Sequence, residues 1–450
     1  MNKQLMTSIS GEIEKLLGVE IISSPWAILL VQFSDQTDNW PSISKYEELF
    51  TSTGSGKLNM VDFFVDMSHG KIDLSGSRVF GPYTLSNKRA DYIGNAPHQD
   101  GKVNRGELLD AAKSLATAAQ VPLGNFAGVC VSCLGQVDLC GFPGGMAAIC
   151  DTASLDVSGP PQEMGHGYGL NHSRRYGSSA DYQDPWDVMS TYTTPYSVPN
   201  PDFTEVGPGL NAWNMRSRGW LDETRVWTAL AQSWDEVVQL RPLHRRDLPG
   251  FLAAQIGQYL VEFRVPQRWD AAIPRACVLV HSFLGNHSYL MPAYSGSQDI
   301  VEGDKFVFGD PNYLIFGYYA AEVVKIDAAG LTATVKLHQR PAQAVPVPGL
   351  EGQVSGGVQV DGGGILLIGG KVIKVPPLGP ARNLVEELGR YLQIETSSNN
   401  VGPALAAQRA ALEAIVSNVA KLYSDARGIS EQPPGYPKPR VPSAKTKTAE

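Results

Sequence analysis

The chain has 450 residues, a length that gives a prior of about three domains at roughly 150 residues each. Charged residues make up only 18%, and 46 glycines with 31 prolines favour a turn-rich, strand-rich architecture; coiled coil, collagen and wholesale disorder are excluded. The 37 basic and 45 acidic residues leave a net charge of −8, which gives no ground for nucleic acid or an anionic membrane as the main partner.

Residues 1–25 carry Leu5, Met6, Ile9, Ile13, Leu16 and Leu17 at helical spacing, interrupted by Glu12, Glu14 and Lys15. That pattern predicts an amphipathic helix and not a signal peptide, whose apolar core is uninterrupted. No run reaches the roughly 18 apolar residues of a membrane span. The expectation is a soluble chain without membrane insertion, cytoplasmic or secreted by a non-standard route.

From residue 26 to 225 strand patterns alternate with helical ones. WAILLVQF (26–33) is a buried strand, and VDFFVDMSHGKIDLSGSRVFGPYTL (61–85) reads as two strand-like runs around a turn at His69–Gly70. GKVNRGELLDAAKSLATAAQ (101–120) places Val103, Leu108, Leu109, Ala112, Leu115 and Ala116 along one helical stripe, and FAGVCVSCL (126–134) is another buried strand. Between 226 and 341 the pattern changes to short alternating strands, QYLVEFRV, ACVLVHSF, DKFVFG, YAAEVVKI and LTATVKL, separated by turn residues, which predicts a β-sandwich. Residues 342–428 open on a proline-rich linker and continue as a β-hairpin, GVQVDGGGILLIGGKVIKV. Two amphipathic stripes follow, from Leu384 to Leu392 and from Leu405 to Tyr423, and predict a helical hairpin. Residues 429–450 have too few large apolar residues to fold and are expected to be disordered.

The chemistry concentrates in SGPPQEMGHGYGLNHSRRYGSSADYQDPWDVMSTY (158–192). Gln162 and His166 are four residues apart, hence one turn apart on one helix face, and Glu163 can reach anything bound there. Gly169 suits the conformation that ends a helix, and His172, three residues on, can fold back as a third ligand. Three protein ligands and an open position make the catalytic type of zinc site. Pro160 and Pro161 belong in the first turn, where their missing N–H groups cost nothing, so the helix is short.

The string QEMGHGYGLNH matches the metzincin signature HExxHxxGxxH at every fixed position but the first, where Gln162 stands for histidine. DVMS puts Met189 where that clan has its Met-turn, and DMSHGKIDLSG and GPGLNAWNMRSRGWLD also resemble the gametolysin-like and immune-inhibitor-A-like branch. The resemblance implies an α+β chain. A metzincin-like catalytic domain over 26–225, with a twisted mixed sheet and helices, would precede the β-sandwich and the C-terminal hairpins. It implies Gln162, His166 and His172 as metal ligands, Glu163 as general base, Gly169 as the turn, Met189 as an apolar floor, and Tyr192 or Tyr182 at the oxyanion. Zinc is the expected metal, with copper or another divalent ion left open by the glutamine. Calcium at Asp181, Asp184 and Asp187 is the alternative to a solvated loop.

The activity implied is hydrolysis of a protein or peptide substrate. The alternative is a pseudoprotease with a weakened or absent metal site that binds peptides or partners, because an amide oxygen is a weaker donor toward zinc than imidazole nitrogen. Cys130, Cys133, Cys140 and Cys150 form a cluster that fits disulfides, a structural zinc knot or free thiols, depending on compartment. His69, His98, His244, His281, His287 and His338 lack metal spacing and are expected to be structural or exposed.

Overall fold

The computed structural model describes residues 21–93, 104–137, 139–191, 194–229, 231–309 and 317–341, together with short backbone stretches between 360 and 374. The expected terminal helix, disordered tail and C-terminal helical hairpin, and with them Val103, His98 and Tyr192, lie outside the described residues. The chain divides into two compact units, Met1–Gln343 and Ala344–Glu450. In the second, Gly363–Ile368 and Lys371–Lys374 pair antiparallel as a hairpin.

The first unit is α+β, with several sheets and few helices. Its first sheet contains β1 (Trp26–Gln32), β2 (Arg78–Thr84), β3 (Gly128–Cys133), β4 (Cys140–Phe142) and β5 (Ala147–Asp151), in the spatial order β2-β1-β3-β5-β4. All pairings are parallel except β4 with β5. β1 is apolar along nearly its whole length because both its faces are covered. Trp26, Ile28 and Leu30 point into one core with the helices Ile43–Phe50, Met60–Met67 and Gly159–Gly167. Ala27, Leu29 and Val31 point into another, against Leu108, Leu109, Ala112 and Ala116 of the helix Arg105–Ala118.

One expectation fails between 61 and 85. The run VDFFVDM is not the first arm of a hairpin but the helix Met60–Met67. Asn59 accepts from the Asp62 backbone N–H and Asp62 returns a bond to the Asn59 N–H, a capping box that satisfies donors otherwise left open. Met60, Phe63, Phe64 and Met67 then fall on one buried stripe. His69, with φ 51°, and Gly70, with φ 81°, turn the chain out of the helix.

Beyond residue 225 the five strands read from the sequence are present, joined by others at Trp234–Leu240, Ala253–Ile256 and His287–Leu290. They form a six-stranded and a four-stranded sheet whose inward residues, among them Val238, Val261, Phe263, Val280, Phe306, Val323 and Val335, share one hydrophobic core. The six-stranded sheet also takes in Arg174–Arg175, paired parallel with Tyr289–Leu290, so a segment just after the motif is a strand of the later sheet. Among the described residues no helix is long and apolar enough to cross a membrane.

Candidate metal centre

The motif helix spans Gly159–Gly167 with prolines in its first turn, and the Asp156 carboxylate accepts from the Ser158 and Gly159 N–H groups at 2.9 and 2.7 Å. A carboxylate there compensates the positive end of the helix. At the other end Gly169 takes φ +88°, the left-handed conformation that a Cβ disfavours, and the chain reverses toward His172. The Gly169 and Leu170 N–H groups close the turn on the carbonyls of His166 and Gly165.

That reversal brings two imidazoles together. His166 Nε2 and His172 Nε2 lie 3.0 Å apart, with ring planes at 78°. His166 Nδ1 faces the Leu170 carbonyl at 2.8 Å and His172 Nδ1 faces the Asp181 carboxylate at 3.1 Å. Both partners only accept, so both Nδ1 atoms carry the protons and, in the neutral rings, both Nε2 atoms present lone pairs. Burial, and then the neighbouring His172 ring, push the His166 pKa down to about 4; burial also lowers that of His172, against the pull of Asp181. Two lone pairs face to face repel unless a cation lies between them. Nitrogens bound to one tetrahedral zinc at about 2.05 Å stand about 3.3 Å apart, so the spacing suits two ligands of such an ion. Committing each Nδ1–H to a carbonyl or carboxylate is also how metal-binding histidines are oriented.

Asp181 is held in turn by Arg174 Nε at 2.7 Å, and Arg174 reaches the Tyr289 hydroxyl at 3.3 Å. Burial raises the Asp181 carboxyl, but the bonds from His172 and Arg174 outweigh it and hold the pKa below its ordinary value. The Tyr182 ring lies 4.0 Å from that of His172, centroid to centroid, on a backbone with φ 61°. Met189 is fully buried below the helix, its sulfur so close to Gly165 that a Cβ there would sit 2.9 Å away.

Gln162 and Glu163 are both buried. The Gln162 Oε1 accepts the Thr191 backbone N–H at 2.9 Å, and its Nε2 donates to Glu163 Oε1 at 3.2 Å. Glu163 and His166 are three residues apart on one helix. Among the described residues no cluster of three or more His, Cys, Asp or Glu side chains is placed to hold a metal.

The aspartates after the motif are not a solvated loop. Asp184 and Asp187 are fully buried, and only Asp181 reaches the surface. Asp187 accepts from the N–H groups of Met189 and Asn211 and from Asn214 Nδ2. Asp184 Oδ2 meets His281 Nε2 at 2.9 Å. All five cysteines are free thiols, with the buried Cys130 and Cys150 sulfurs 3.8 Å apart.

Sequence spacing did not reveal His287. It comes from the later sheet, 115 residues after His172, and its Nδ1 donates to the His172 carbonyl at 2.8 Å. Arg174 and Tyr289 join the site in the same way, through a strand pairing that no local pattern announces. Of the remaining histidines, His69 is buried between the Leu243 carbonyl and the Asp222 N–H.

No known protein-family profile matches the chain, and no curated protein sequence matches it either. Among solved structures it is similar to OgpA from Akkermansia muciniphila, wild type in one crystal form, at 12% identity over 71% of this chain and 92% of that one, with a TM-score of 0.30. Catalytically inactive OgpA in complex with an O-glycopeptide substrate gives 12%, 71%, 94% and 0.28, and a second wild-type crystal form gives 12%, 71%, 94% and 0.27.

Proposed function

We propose that the chain is a metal-dependent endopeptidase of metzincin type, with His166 and His172 holding a zinc ion. The observation that carries this reading is the pair of facing Nε2 atoms whose Nδ1 protons are already committed. A divalent metal bound there supplies Lewis-acid polarisation of a scissile carbonyl and acidifies water. Glu163, on the same helix, takes a proton from the attacking water on its carboxylate and returns it to the leaving amine. Burial keeps both imidazoles neutral at neutral pH, as ligation requires. Tyr192, or Tyr182 against the His172 ring, donates a hydrogen bond to the developing oxyanion.

The edge strand β4 supports a peptide substrate. It packs on the motif helix so tightly that a Cβ at Gly141 would fall 2.2 Å from the Glu163 carbonyl oxygen and 2.3 Å from His166 Cβ. As the last strand in its sheet it offers backbone groups to which an extended peptide can add alongside the site.

The test is cleavage of a denatured protein by the natural chain, Glu163→Ala and Gln162→His. Activity in the natural chain that disappears in Glu163→Ala supports the peptidase. Activity only in Gln162→His contradicts it and favours the pseudoprotease, in which the Gln162 oxygen is occupied by Thr191.

A further inference from the structure

We infer that Gln162 is a positioning residue and not a metal ligand: its amide clamps the Glu163 carboxylate to the backbone of Thr191. The inference rests on the reading of His166 and His172 as a metal-binding pair and departs from the motif only at its first position.

The orientation of the amide follows from its partners. The Thr191 N–H can only donate, so the atom 2.9 Å from it is the carbonyl oxygen; the atom 3.2 Å from Glu163 Oε1 is then the NH2 group. Flipping the amide would set N–H against N–H and oxygen against carboxylate, replacing two attractive contacts by two repulsive ones. Both side chains are buried, where an unpaired polar atom is costly, so the arrangement is strongly favoured.

The clamp joins two segments that must keep register. Thr191 follows Met189, and its Oγ1 also bonds the Val188 and Ser158 carbonyls at 2.6 and 3.1 Å, tying the turn to the start of the motif helix. Gln162 adds the one link in this set that ends on Glu163, and so fixes the direction of the carboxylate relative to the turn. A histidine at 162 could not do this while ligating. With Nε2 on a metal only Nδ1 remains, and a single nitrogen cannot both accept from Thr191 and donate to Glu163. In this chain a third imidazole has therefore been exchanged for control of the base.

Three readouts on Gln162→Ala, Gln162→Glu and Gln162→His test this. The first is Zn2+ affinity by competition with a chromophoric chelator; the second is amide hydrogen exchange at Thr191 in metal-free protein; the third is hydrolysis of a denatured protein. The inference predicts that Gln162→Ala keeps its affinity within about threefold and speeds Thr191 exchange, and that Gln162→Glu, which retains the acceptor, keeps Thr191 protected. It also predicts that Gln162→His gains affinity, while both other variants lose hydrolysis through misdirection of Glu163. A loss of affinity in Gln162→Ala of about tenfold or more, the minimum expected on losing a ligand, with Thr191 exchange unchanged, overturns it. If the natural chain binds no Zn2+ while His166→Ala and His172→Ala behave identically to it, the metal-site reading fails, and the exchange measurement alone still decides the clamp.

Discussion

The two histidines differ from ordinary buried histidines in what their second nitrogens do. His69 uses both nitrogens on backbone groups and is finished as a structural residue. His166 and His172 each use Nδ1 on the protein and turn Nε2 toward one another. Removing the Asp181 acceptor should loosen that arrangement without touching the pair itself. Asp181→Ala is expected to lower Zn2+ affinity about 10- to 100-fold at little change in thermal stability, measured by chelator competition and calorimetry. A pH effect follows from the burial of His166. Its folded pKa of about 4 lies below the unfolded value of about 6.5, so the unfolded chain binds more protons between those values. Its contribution to stability is complete above about 6.5 and lost as the pH falls toward 4. Unfolding free energies in chelator should therefore fall less steeply over that interval in His166→Gln than in the natural chain.

The motif helix is short and derives its position from its neighbours. Gly165 and Gly167 of the helix lie close against Met189 and Trp26, and Gly141 of β4 lies closest to it, because backbone and not a movable side chain meets Gly141. Gly141→Ala should cost about 1–3 kcal/mol and lower Zn2+ affinity together with stability, since the helix carrying Glu163 and His166 must shift. By contrast Asn59→Ala, which opens the capping box of Met60–Met67 and removes the Nδ2 bonds to the Glu48 and Thr51 carbonyls, should cost about 1–3 kcal/mol and leave Zn2+ affinity unchanged. The apolar run of β1 and the spacing in the motif were legible in the sequence because both are local periodicities. The helix at Met60–Met67 was not, since FFV suits a strand equally well and the deciding signal, Asn59 with Asp62, is a cap that lies at its margin.

Across the whole first unit, a buried ionic network joins the turn after the motif to the six-stranded sheet. Arg264 meets Glu262 at 2.8 Å and Asp270 at 2.7 Å, and His281 lies between Asp184 at 2.9 Å and Glu262 at 3.5 Å. Glu262 and Asp270 also receive the N–H groups of Ala212 and Gly209, on the segment that positions Asn211 against Asp187. Burial opposes charge on Glu262, Arg264, Asp270 and His281. Mutual attraction overcomes it: Glu262, through Arg264 and His281, stays at about 2, and His281, through Glu262 and Asp184, rises to about 10. The side chains of this network lie up to about a hundred residues apart, so no spacing rule could assemble them, and the same holds for His287 against the His172 carbonyl. Breaking it by Arg264→Met would remove the shared cation and leave Glu262 with His281 and Asp270 with His244 as their remaining side-chain partners, at an expected cost of about 3–5 kcal/mol by denaturant unfolding. Because the folded pKa of His281 exceeds the unfolded one, its contribution is present below about 6.5 and lost as the pH rises through about 10. His281→Gln should therefore flatten the alkaline fall in stability.

A cation between the two imidazoles is tested most directly by an anomalous-scattering map from crystals grown with Zn2+, recorded at the zinc absorption edge. The prediction is a single strong peak within bonding distance of His166 Nε2 and His172 Nε2, with Gln162 still bonded to Thr191. An empty map at that position in crystals that show zinc elsewhere would contradict it.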